Sequence, residues 1–194
     1  ISATVTDTSS GVGIVEYSTD NSSWTRLQNA SANSFTATWN TTTFSNNQTV
    51  TLYARASDNI NNNASLKINV TVDNEVPGII VLSSLTGNLS GNVQLQVNAS
   101  DSYSGINLGN VKYSVADLSG ALGCTGNNHS STCSAVLDTT RLQDGNHTLI
   151  FSVTDNAGNL NTSSVEIRTK NMQPSISISE PANNAFIRGT TLIR

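Results

Sequence analysis

Few residues in this 194-residue chain can do chemistry, and the most promising are acidic. Asp101 opens "DSYSG", Asp155 opens "DNAGN", and Asp73 and Glu75 lie in "VDNEVP". Carboxylates converging on one point are the hard oxygen donors that calcium takes, so Asp73, Glu75, Asp101 and Asp155 are the candidate metal ligands. The competing reading is local: an Asp at the head of a tight turn accepts the backbone N–H groups of that turn. Because "DTSSG" at Asp7 and "DNINN" at Asp58 repeat the pattern, turn geometry is the weightier explanation. No other cofactor is implied. The two histidines, His129 and His147, sit in no recognisable Ser-His-Asp context. Nor does the chain carry zinc-ligand spacing or a glycine-rich loop leading into a helix. An enzyme is not expected.

Cys124 and Cys133 are the only cysteines. In an exported protein such a pair would cyclise the irregular segment "GCTGNNHSSTC", so a disulfide is expected. The same setting would explain eleven N-x-S/T sequons, at Asn21, Asn29, Asn40, Asn47, Asn63, Asn69, Asn88, Asn98, Asn128, Asn146 and Asn161. Their excess over chance is modest. Their placement is more telling, since most fall in expected loops, and Asn69 and Asn98 fall on polar faces of expected strands.

The elements that must position these residues read as strands. Val93, Leu95, Val97 and Ala99 alternate with polar residues, as do Leu149, Phe151 and Val153, and Leu66, Ile68, Val70 and Val72. A period of two with one apolar face marks a half-buried antiparallel strand. Turn signals separate the runs, and no stretch has a helical period. The chain also repeats itself. Residues 52–77 align without a gap on residues 149–174 at an offset of 97, placing Asp58 on Asp155 and Pro77 on Pro174. Upstream, "DTSSG" matches "DSYSG". About seven short strands per unit implies an all-β Greek-key sandwich of immunoglobulin or fibronectin III type. Boundaries follow at residues 1–74, 75–171 and 172–194. The first unit lacks its N-terminal strand or strands, and the last piece is the opening strand of another unit. Trp24 and Trp39 should add to an otherwise aliphatic core in the first unit. The sandwich also brings Asp101 and Asp155 to the end where the linker carrying Asp73 and Glu75 arrives.

These motifs, D-x-x-S-G followed by Y-S, then D-N-A-G-N and a strand leading to a Pro linker, resemble the Ig-like repeats of bacterial and archaeal surface proteins. The resemblance covers the whole chain and implies an adhesin, a surface-layer protein or an extracellular fibre. One departure is Asn61, which stands where the pattern has Gly; Asn is among the residues that most readily accept a positive φ. The expected function is structural: a repeat segment of a cell-surface filament, stalk or layer, located outside the cell. Its partners would be identical subunits or flanking repeats. The alternative is a binding module whose end loops contact a glycan or protein receptor, although the 124–133 segment carries no aromatic residue to stack on a sugar. A net charge of −4 with nine Lys and Arg argues against nucleic acid. No apolar run approaches the roughly 20 residues of a membrane span.

The two ends of the chain fit one another. Aligning Asp7 with Asp101 puts Ile1 on Leu95, and aligning Gly189 with Gly91 puts Thr191 on Val93 and Ile193 on Leu95. Either the chain is a window on a longer array, or residues 175–194 of one subunit complete the first unit of the next. In that second case Ile176, Ile178 and Ile193 are the exchanged residues, with Ile176 and Ile178 packing near Ile1, Ala3 and Val5.

Overall fold

The computed structural model describes residues 1–189. Within them are sixteen strands, two single 3₁₀ turns at Leu108–Asn110 and Thr139–Arg141, and no α-helix. The protein is all-β.

Residues 1–74 hold β1 (Ser2–Thr4), β2 (Val12–Ser18), β3 (Thr25–Arg26), β4 (Gln28–Ser31), β5 (Ser34–Thr36), β6 (Thr49–Asp58) and β7 (Asn63–Thr71). They pair into two sheets, ordered β1-β5-β4 and β3-β2-β6-β7. Residues 75–171 hold β8 (Gly78–Val81), β9 (Asn88–Leu89), β10 (Asn92–Ser100), β11 (Lys112–Val115), β12 (Leu118–Ala121), β13 (Gly123–Asn127), β14 (Ser130–Asp138), β15 (Gly145–Thr154) and β16 (Leu160–Thr169). Their sheets run β13-β14-β10-β8 and β12-β11-β15-β16-β9. Every pairing is antiparallel except the short parallel contact of β9 with β16.

The alternation in the sequence decides which face of each strand turns inward. Leu95, Val97 and Ala99 from one sheet meet Leu149, Phe151 and Val153 from the other, all six at 0% exposure, and Ile167 completes the packing at 2%. Each such side chain contributes roughly 1.5 to 3 kcal/mol by leaving water. The core of residues 1–74 is smaller: Val15, Tyr17, Leu27, Phe35 and Leu52. Trp39 packs against it. Trp24 does not, which corrects the expectation for that residue. Its ring lies under the Arg55 guanidinium at 4.0 Å, and Arg55 in turn bonds Glu16 at 2.7 Å.

The cysteine segment is also more regular than its composition implies. It is the β13–β14 hairpin, in which Cys124 and Cys133 are direct cross-strand partners, disulfide-bonded with Cα atoms 4.0 Å apart.

Residues 172–189 form no strand. Ile176 and Ile178 are 95% and 70% exposed. A strand needs a partner's N–H and C=O groups, and no edge within residues 1–171 takes this segment. Thr191 and Ile193 lie outside the described residues.

Candidate functional site

The D-x-x-S-G turns explain themselves locally. Oδ1 of Asp7 accepts the N–H groups of Ser9, Ser10 and Gly11, the last at 2.7 Å. Oδ1 of Asp101 accepts those of Tyr103 and Gly105, the latter at 2.6 Å. Gly11 and Gly105 both have φ of +78°, a conformation a side chain would strain. At Gly105 a Cβ would also lie 2.7 Å from Nδ2 of Asn128. The second turn behaves likewise. Asp155 accepts N–H groups from Gly158 and Asn159, and Asp58 accepts them from Ile60 and Asn62. Gly158 has φ of +100° and Asn61 has +67°, so Asn does adopt the left-handed turn.

These bonds stabilise the charged carboxylates. The Gly11 N–H, helped by those of Ser10 and Ser9, holds Asp7 below its ordinary value. Burial pushes Asp58 upward, but hydrogen bonds from the Ser10 hydroxyl and Asn62 outweigh it and leave the group lowered.

Three of the four acidic residues at the junction come together. Ligand oxygens of Asp73, Asp101 and Asp155 lie within 4.8 Å of one another, and Asp101 and Asp155 are buried. Asp73 reaches the group because Ser104 N–H donates to its Oδ2 at 3.0 Å and Asn159 Nδ2 donates to its carbonyl at 3.1 Å. Glu75 does not join. Its backbone N–H donates to Asp73 Oδ1, while its exposed carboxylate faces Asn46. The Glu75 N–H bond back to Asp73 Oδ1 bends the linker locally, and the Glu75 side chain leaves towards Asn46.

The donor chemistry fits a hard cation, though calcium takes roughly six to eight oxygens and three carboxylates are only part of such a shell. Five of the six carboxylate oxygens already accept N–H groups. Oδ2 of Asp101 accepts none among the described residues. None of the three has an ion-pair partner there either. Seven N–H bonds therefore offset the like charges, as the turn reading requires.

The histidines serve the backbone. His129 Nδ1 donates to Asp101 carbonyl oxygen at 2.9 Å, and His147 Nε2 donates to Gln143 oxygen at 2.8 Å. At the tip of the β13–β14 hairpin, Asn127 Oδ1 accepts from His129 and Ser130 N–H, so the tip is polar.

Of the sequon residues, Asn21, Asn29, Asn40, Asn47, Asn63, Asn69, Asn88, Asn128 and Asn146 are exposed. Asn98 and Asn161 are half-buried, and their Nδ2 atoms donate to Ser131 and Pro77 carbonyls.

An apolar concavity also lies where the sequence expected Ile1, Ala3 and Val5 to receive a further strand. It is a groove of about 470 Å³ on residues 1–74, lined by Ile1, Ala3, Val5, Leu52, Leu66 and Ile68 among others. The signal was present in the alignment of Ile1 with Leu95, which is wholly buried.

No family model matches the chain. No curated protein matches it either. Among solved structures, the X-ray structure of the endo-beta-1,4-mannanase from Thermotoga petrophila resembles it with a TM-score of 0.43 and 18% identity. That match covers 52% of this chain and 21% of the mannanase chain, and at this level it carries no argument.

Proposed function

We propose that this chain is a pair of Ig-like Greek-key repeats from an extracellular structural protein, serving as a segment of a surface filament, stalk or layer. The observation that carries the reading is the doubled pairing scheme. The order β3-β2-β6-β7 recurs as β12-β11-β15-β16, and β1-β5-β4 recurs as β10-β14-β13. Two similar modules joined by the short linker 73–77 suit a part whose task is reach and stiffness. The cystine and the exposed sequons favour a setting outside the cell. Among the described residues no helix is long and apolar enough to cross a membrane.

Small-angle scattering should give a maximum dimension well beyond that of a single compact body of this mass, and micrographs of native material should show filaments or a layer. Glycopeptide mapping from a glycosylating host should find sugar at exposed sequons such as Asn63 and Asn128 and little at Asn98 and Asn161. A compact scattering envelope with no glycan anywhere would overturn the reading.

A further inference from the structure

Residues 73–77, "DNEVP", carry the chain from β7 to β8, and side chains hold them from both directions. Asn74 is tied to residues 1–74. Its N–H donates to Asn46 Oδ1 at 2.8 Å, its Nδ2 donates to the Thr41 carbonyl at 3.1 Å, and Thr41 Oγ1 donates to its Oδ1 at 2.8 Å. Two residues earlier, the Val72 N–H donates to the Gln48 carbonyl at 2.9 Å, and the Val72 carbonyl accepts the Asn47 N–H at 2.8 Å. Thr41, Asn46, Asn47 and Gln48 all lie between β5 and β6. The chain therefore leaves this unit fastened to it.

Residues 75–171 reach back to the same stretch. Ser104 N–H donates to Asp73 Oδ2 at 3.0 Å, Asn159 Nδ2 donates to the Asp73 carbonyl at 3.1 Å, and Asn161 Nδ2 donates to the Pro77 carbonyl at 2.7 Å. These donors are themselves braced, since the Ser104 carbonyl accepts from Asn156 Nδ2 and the Asn159 N–H donates to Asp155. Asp73 and Asn74 are thus consecutive residues bonded to opposite units. A hinge needs a few residues free to absorb a change of φ and ψ, and none lies between these two. Rotation at Glu75 or Val76 does not loosen the joint, because Asp73 upstream is already held. Pro77, buried at the far end of the linker, has its φ fixed by its ring.

The exit bonds occur twice. At an offset of 97 from Asn74, Asn171 donates its N–H to Asp144 Oδ1 at 2.6 Å and its Nδ2 to the Thr139 carbonyl at 2.7 Å, and Thr139 Oγ1 donates to its Oδ1 at 3.1 Å. An Asn bonded in both directions to a Thr is therefore a built feature of the end of each unit. We infer that residues 73–77 form a rigid joint held by amide and hydroxyl donors, so that residues 1–171 move as one stiff body. This deepens the structural reading above and rests on it: a part that provides reach loses it by bending at its joints, and bonds from both units to adjacent residues remove that bend.

The test uses the full chain, spin-labelled through Ser65→Cys and Ser164→Cys, two exposed positions, one on each unit. Pulsed electron paramagnetic resonance should give a narrow distribution of label-to-label distances, unchanged by EDTA. Inserting Gly-Ser-Gly-Ser between Asp73 and Asn74 separates the two sets of bonds by a flexible coil and should broaden the distribution roughly twofold or more. Asn74→Ala with Asn161→Ala should broaden it towards that limit while leaving circular dichroism unchanged, because the cores are untouched. The joint is overturned if the parent is as broad as the insertion chain, or if the double variant stays as narrow as the parent. Broadening of the parent by EDTA would also overturn it, by assigning the joint to a bound cation. A broad parent that still assembles into filaments would defeat the joint alone; a narrow parent from material with neither filament nor layer would uphold the joint and defeat the structural reading.

Discussion

Replacing Phe151 by Ala probes the fold most directly, because Phe151 is the largest wholly buried side chain. It sits on β15 between Tyr113 of β11 and Ser163 of β16, and its ring fills the space between the two sheets. Losing the ring forfeits about 2 kcal/mol of transfer free energy. A void of roughly 80 Å³, at about 24 cal/mol per Å³, adds about 2 kcal/mol, so the total is about 3 to 5 kcal/mol. For a unit of this size that lowers Tm by roughly 15 to 30 °C. Ser152→Ala, on the opposite face, should cost under about 1 kcal/mol. The assay has a built-in control, since both tryptophans, Trp24 and Trp39, lie in residues 1–74. Far-UV circular dichroism should reveal an early transition in Phe151→Ala while the tryptophan fluorescence transition stays in place. Equal costs for Phe151→Ala and Ser152→Ala would refute the assigned faces. A matching shift in tryptophan fluorescence would refute the division into two separate cores.

Three further outcomes are expected. Cys124→Ser with Cys133→Ser should destabilise residues 75–171 by about 2 to 3 kcal/mol, the chain-entropy value for a loop of about ten residues; two alkylatable thiols in the unreduced protein would contradict the disulfide. Asp7 titrates below its ordinary 3.8 when folded, so its stabilisation is present above about pH 4 and is lost as pH falls through the lower folded value. The Tm deficit of Asp7→Asn, followed by tryptophan fluorescence, should therefore shrink on acidification, and a deficit independent of pH would argue against the turn bonds as its source. Because backbone N–H groups already offset Asp73, Asp101 and Asp155, adding EDTA should leave Tm unchanged; a rise in Tm on titrating calcium would instead assign the cluster to a metal.

Local pattern was enough to read the strands around Leu95 and Phe151, because a period of two records directly which side chains share a face. It was also enough for the turns at Asp7, Asp58, Asp101 and Asp155, where donors and acceptor lie within four residues of one another. The disulfide followed from there being only two cysteines. What required the tertiary structure was everything depending on partners distant in sequence. Asp73 meets Asp101 and Asp155 across 28 and 82 positions, while the carboxylate of Glu75, only two residues from Asp73, faces Asn46. Trp24 looks like a core residue by type, but it lies under Arg55 because the register of β2 on β6 places Glu16 opposite that arginine. Leu66 and Ile68 alternate as faithfully as Val165 and Ile167, yet they remain exposed while Ile167 is buried. Alternation says which face a residue is on; whether that face is covered depends on neighbours distant in sequence, such as those that bury Ile167 in the core of residues 75–171.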